Sequence, residues 1–177
     1  MKGSKRIAFI GDSLTEFFDW QRRFPEYEVM NLGIAGETIE GLSNRMDRIL
    51  IGLHNPAYIF LMTGINNIAM EDYEILGEYK KIINRFFSSF HKSIIVVQSI
   101  LPVSLPWVDN GRIRDLNNSL IDTAKNFAAT YLDLYSLFSE VEGNPITGYL
   151  LDDGVHLSDK GYDVWAKEVE GFLKGNI

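Results

Sequence analysis

Five short runs rich in apolar and β-branched residues, at Arg6 to Ile10, Glu28 to Leu32, Ala57 to Met62, Ser93 to Ile100 and Thr130 to Leu134, alternate with longer stretches of helical spacing. No other feature of the chain constrains its fold as tightly. Thr38 to Leu50 carries Ile39, Leu42, Met46, Ile49 and Leu50 at helical intervals, and Tyr73 to Phe90 repeats the pattern through Leu76, Tyr79, Ile83, Phe86 and Phe90. Ile113 to Ala129 follows it through Leu116, Leu120 and Ala124, and a last helix is expected from Ser158 or Asp159 into Leu173, with Ser158 as N-cap. Strands that are almost continuously hydrophobic, each followed by a helix, belong in a parallel sheet covered on both faces. The expected fold class is therefore α/β, a three-layer α/β/α sandwich whose five-stranded parallel sheet has the flavodoxin-like order 2-1-3-4-5.

A length of 177 residues suits one domain over 1–177, and no internal repeat or low-complexity linker interrupts it. Hydrophobic residues at 46% and charged residues at 23% are values of a globular chain, not a disordered one. The formal net charge of −7, with no long run of Lys or Arg, argues against nucleic acid as a partner and against stable adsorption to anionic lipid. Absence of cysteine removes disulfides, thiolate metal sites and cysteine nucleophiles together. Lys2, Lys5 and Arg6 precede the apolar stretch Ile7 to Ile10, but Gly11-Asp12 ends it before it reaches the length of a signal-peptide core. The longest apolar run, Ala57 to Met62, is too short to span a bilayer, so the expectation is a cytoplasmic protein without membrane insertion. Oligomeric state is left open, with a homo-oligomer admitted.

In open α/β sheets, ligand sites form outside the carboxyl ends of the strands. Ser13 lies there, in Gly11-Asp12-Ser13-Leu14-Thr15 after the first strand, where it would begin a helix whose N–H groups favour an oxyanion; Asp12 or Ser13 serving only as an N-cap is the competing reading. The second strand ends in Asn31-Leu32-Gly33-Ile34-Ala35-Gly36-Glu37-Thr38. Its glycines permit a tight turn, and Gly36 could also present an unobstructed N–H as an oxyanion donor. The third ends in Met62-Thr63-Gly64-Ile65-Asn66-Asn67, where the Asn66 carboxamide is preferred over Asn67 as a further donor, although Asn also ends strands through local turns. Near the C-terminus, Asp153-Gly154-Val155-His156 puts a carboxylate three residues ahead of one of the three histidines, close enough to orient the ring.

These four segments, in this order, strongly resemble the SGNH hydrolases, the GDSL-type lipases and esterases. Gly11-Asp12-Ser13-Leu14 matches the first block of that family, Gly36 the second, Gly64-Ile65-Asn66 the third, and Asp153-Gly154-Val155-His156-Leu157 the last. The stretch from Asn31 to Thr38, with Gly41-Leu42 and Arg45 beyond it, looks most like the branch containing platelet-activating-factor acetylhydrolase catalytic subunits. Asn67 is read as a variation on the Asn-Asp of other members. The resemblance implies a serine-dependent carboxylic ester hydrolase in which His156 deprotonates Ser13, Asp153 orients His156, and the N–H groups of Ser13 and Gly36 with the Asn66 side chain form the oxyanion hole.

Asp152 competes with Asp153, which is preferred because the family spacing is Asp-x-x-His. His54, at a turn before Asn55-Pro56, and His91, after a helix, are read as structural. The Gly-x-Ser-x-Gly elbow is absent because Thr15 stands at its last position, and no P-loop, His-Glu-x-x-His or calcium loop is present, so neither metal nor cofactor is expected. The expected partner is a small-molecule ester. Short loops imply a shallow site for short acyl groups such as acetyl; Leu101, Val103, Trp107, Tyr149 and Leu150 are candidates to line it, or to pack the domain edge. A lysophospholipase or acyl-thioesterase could use the same residues, and a non-catalytic flavodoxin-like binding protein is an alternative of another class.

Overall fold

The computed structural model describes residues 5–175; Lys2 and the two C-terminal residues lie outside that range. The five hydrophobic runs form β1 (Arg6–Gly11), β2 (Glu28–Gly33), β3 (Tyr58–Met62), β4 (Ile94–Gln98) and β5 (Thr130–Leu132). They make one parallel sheet in the order β2-β1-β3-β4-β5, as the alternation of strand and helix patterns predicts. Central β1 and β3 are buried almost throughout, which is why they read as unbroken hydrophobic runs, whereas edge strand β2 is half-buried and exposes Glu28 and Asn31.

The connections are α1 (Ser13–Glu16) and α2 (Trp20–Arg23) after β1, α3 (Ile39–Asn44) and α4 (Met46–Gly52) after β2, and α5 (Ile65–Ala69) and α6 (Leu76–Ser89) after β3. After β4 comes α7 (Asn110–Asn126), and β5 leads into α8 (Tyr135–Phe138) and α9 (Asp159–Gly175). On one face α2 meets α9 through Trp20 and Trp165, ring centroids 4.8 Å apart, above Phe9 and Phe60 of the sheet. The opposite face carries α3, α4, α6 and α7, which pack on one another, as right-handed crossovers require.

Several boundaries differ from the sequence reading. The helix expected over Thr38 to Leu50 is two, because Arg45 leaves the helical path to reach Glu37 and the Leu32 carbonyl. The expected Tyr73 start moves to Leu76, since Asp72 uses its carboxylate to hold the Glu74 N–H in a turn. Helix α7 starts at Asn110, not Ile113, because Asp109 caps it by accepting from Gly111 N–H at 2.7 Å. Ser158 does cap α9, its hydroxyl accepting from Gly161 N–H at 3.2 Å. No helix among the described residues is long and apolar enough to cross a membrane.

Candidate active site

Register alone brings three of the four segments together. Gly11 pairs with Gly33 on one side and with Met62 on the other, so Ser13, Gly36 and Asn66 all leave the sheet at its carboxyl edge. Asp12 stops β1 and caps α1, its Oδ1 accepting from Leu14 N–H at 3.1 Å, and this turn sets Ser13 at the first helical position. Of the two residues, Asp12 is therefore the N-cap, and Ser13 is the first residue of the helix.

The last segment reaches the same edge from the far end of the chain. Leu151 N–H donates to the His156 carbonyl, Leu150 bridges to Leu157, and Ser104 N–H donates to the Gly154 carbonyl at 2.8 Å. Gly154 has φ of +74°, and a Cβ there would lie 2.8 Å from the Ser104 carbonyl oxygen, so the loop both turns left-handed and packs too closely for a side chain. In this loop Asp153 Oδ1 accepts from Val155 and His156 N–H, both at 2.9 Å, and Oδ2 sits 2.7 Å from His156 Nδ1. His156 Nε2 lies 3.0 Å from Ser13 Oγ. A carboxylate against Nδ1 can only accept, so Nδ1 carries the ring proton and Nε2 is left to accept from the serine hydroxyl. Ser13 is 4% exposed and the His156 side chain 32%, so solvent meets the pair chiefly at the imidazole.

Two aspartates near the imidazole differ sharply in electrostatics. The Val155 N–H above all, with the His156 N–H and the His156 ring, holds Asp153 down at about 2 against the opposing cost of burial. Burial pushes Asp12 up to about 7, against the lowering effects of the Leu14 N–H and His156. Asp152 is exposed and makes no such contacts; His54 and His91 are exposed and precede β3 and β4, at the opposite edge of the sheet.

Gly36 has φ of +74° with open space where a Cβ would point, so backbone conformation, not crowding, favours glycine there. Asn66 Nδ2 donates one hydrogen to the Glu37 carbonyl at 2.9 Å, which fixes the carboxamide and leaves its second hydrogen for another acceptor. Glu37 is itself held by Arg45 through two bonds of 2.6 Å, while Glu16 takes the Ala35 N–H. Among the described residues no group of three or more His, Asp or Glu side chains could hold a metal ion.

Of the loop residues that could line a pocket or pack the domain edge, four pack. Leu101 and Val103 are buried in the core, and the Asn110 carboxamide clamps both backbone groups of Val103 at 2.9 Å. Tyr149 and Leu150 also pack against the core, Tyr149 on the ring of Phe138. Trp107 alone stays open, 56% exposed, with Nε1 donating to the Ala69 carbonyl at 3.0 Å. Phe17, not singled out from the sequence, lies with its ring 5.4 Å from that of His156; its position four residues after Ser13 was the available signal.

A sequence profile described as "GDSL-like Lipase/Acylhydrolase family" matches residues 9–164. The chain belongs to that family. Membership makes it a hydrolase of the esterase type. The alpha1 subunit of platelet-activating factor acetylhydrolase IB from Bos taurus is 25% identical over 94% of this chain and 74% of its own length. Among solved structures, a GDSL-like lipase from Bacteroides thetaiotaomicron superimposes with a TM-score of 0.80 at 23% identity, covering 100% of this chain and 91% of that one. The lipase/acylhydrolase from Enterococcus faecalis gives 0.80 at 19% identity, covering 97% and 96%. These structures share the fold.

Proposed function

We propose that this family member is a serine esterase that forms an acyl-enzyme on Ser13. The observation that carries the reading is the hydrogen-bonded chain from Asp153 Oδ2 through the His156 ring to Ser13 Oγ. His156 Nε2 takes the hydroxyl proton as Oγ attacks the ester carbonyl carbon, and ionised Asp153 stabilises the imidazolium. The N–H groups of Ser13 and Gly36 and the second Asn66 hydrogen receive the negative oxygen. On collapse the ester C–O bond breaks and His156 returns the proton to the departing alcohol; water, deprotonated by the same nitrogen, then releases the acid and regenerates Ser13. Simple ligand binding on a flavodoxin-like sheet gives no account of this three-residue chain.

The substrate is a carboxylic ester with a short acyl group. Burial of Leu101 and Val103 supports this, since the loop that could have walled a deep acyl pocket fills the core instead. The name of the acetylhydrolase relative points the same way. One observation favours a second reading, as a lysophospholipase or acyl-thioesterase: Phe17, Met70, Trp107 and Leu151 are all exposed on segments around Ser13 and could bear a longer apolar group. Hydrolysis of p-nitrophenyl esters of increasing chain length by wild type and Ser13→Ala separates these. Turnover greatest with acetate and absent from the variant is expected; a maximum at long chains would favour the second reading, and an equally active variant would exclude Ser13.

A further inference from the structure

The third segment ends in two asparagines, and the proposed mechanism uses only Asn66. Asn67 is buried, and its carboxamide is engaged on both sides. Its Oδ1 accepts from Ile39 N–H at 3.0 Å, while Nδ2 donates to Glu40 Oε2 at 3.0 Å and to Asp72 Oδ2 at 3.1 Å. The Asn67 carbonyl also accepts from Asp72 N–H at 3.0 Å, and this turn carries the Asp72 carboxylate round to the side chain. Ile39 follows Gly36 by three residues and opens α3; Asn67 follows Asn66 in α5. The side chain of Asn67 thus joins the two segments that offer the Gly36 N–H and the Asn66 amide.

We infer that Asn67 is a positioning residue that, with Glu40 and Asp72, fixes the separation of those two oxyanion donors. The inference rests on the esterase reading, and Asn67 itself touches no substrate in it. Its chemistry also accounts for an amide and not an acid at this position. Glu40 and Asp72 both need donors, and Nδ2 supplies two hydrogens while Oδ1 still serves Ile39. The Asn67 bond is the leading reason that Glu40 is held below its ordinary carboxylate range. An aspartate at 67 would keep the Ile39 bond but bring a third carboxylate against the other two, with no hydrogen between them.

The test is Asn67→Asp beside the triple variant Asn67→Asp/Glu40→Gln/Asp72→Asn, in which the two new amides donate back to the acid. With p-nitrophenyl acetate, Asn67→Asp should lower kcat about ten- to a hundredfold, the scale of an ångström-level displacement of catalytic groups, with KM little changed. The triple variant should recover most of that loss. Hydrogen exchange at residues 36–40, faster in Asn67→Asp and restored in the triple variant, reads the same clamp without turnover. Unchanged kcat in Asn67→Asp would overturn the inference, as would a triple variant with wild-type thermal midpoint and exchange but no recovered kcat. If Asn67→Asp does not fold, the triple variant decides alone by the same criterion. Absence of turnover in wild type would count against the esterase reading, while the exchange result would still report on the clamp.

Discussion

Asp12 and Asp153 both stand close to the same serine and imidazole, and they are opposite kinds of carboxylate. Asp12 adjoins Ser13 in sequence, is 1% exposed, has Oδ2 buried without a partner, and is pushed up to about 7. Asp153 comes from the far end of the chain, has a side chain 49% exposed, and is held at about 2 by bonds from two backbone N–H groups and the His156 ring. Nearness to Ser13 in sequence therefore does not decide which carboxylate meets the His156 ring. Burial is what separates them first: it raises Asp12, whereas Asp153 is half-exposed and faces two backbone N–H groups and the imidazole, which lower it.

Asp153→Asn should break the comparison most severely. Asn can keep Oδ1 against the Val155 and His156 N–H groups, but it turns an N–H toward Nδ1, which forces the proton onto Nε2 and removes the acceptor from Ser13. A fall in kcat of about 10⁴-fold is expected, far more than the modest loss of stability at neutral pH can account for. Steady-state kinetics beside a melting curve checks this; a loss explained by unfolding would not support the assignment. Gly154→Ala should come next. It strains a φ of +74° and crowds the Ser104 carbonyl, costing about 1–3 kcal/mol in denaturant unfolding and displacing His156.

Asp12→Asn acts on stability more than on chemistry. The folded pKa of Asp12 lies above its ordinary value of 3.8, so the wild type binds an extra proton when folded and loses stability as pH rises from about 4 to about 7. Asn cannot ionise and keeps the cap on Leu14. Between pH 5 and pH 8 the stability of Asp12→Asn should therefore rise relative to wild type by roughly 1–3 kcal/mol, measured by denaturant titration at both values. A constant difference would show that Asp12 does not titrate there. Asp153 has the reverse sign: its contribution is present above its ordinary range and fades as pH falls toward 2. Asp152→Asn, on an exposed side chain beside the loop, should change kcat least, and comparison with Asp153→Asn under identical conditions measures the contrast.

The sheet was legible because buried parallel strands cannot hide their hydrophobicity, and the sheet edge followed from it. The grouping of Ser13, Asp153 and His156 was legible because they lie at a strand end and within a three-residue spacing, and the structure brings these three into contact; Gly36 and Asn66 lie on segments that leave the same sheet edge. The break at Arg45 was not. Ile39, Leu42, Met46 and Ile49 continue one buried stripe across it, so periodicity sees a single helix, while the cause is a long-range pull from Glu37 and Leu32. Helices α1, α2, α5 and α8 have four or five residues, too few to show a period. The links from Asn67 to Glu40 and Asp72, and the clamp of Asn110 on Val103, depend on side chains that meet their partners only after folding.

The central claim is that His156, oriented by an ionised Asp153, makes Ser13 the nucleophile. Its most direct test is the rate of covalent labelling by a fluorophosphonate in wild type and His156→Ala, with the modified residue located by peptide mass spectrometry. The account predicts stoichiometric modification of Ser13 in wild type and a loss of labelling rate in the variant that parallels its loss of esterase turnover. Labelling at another residue, or His156→Ala reacting at Ser13 as fast as wild type, would contradict it.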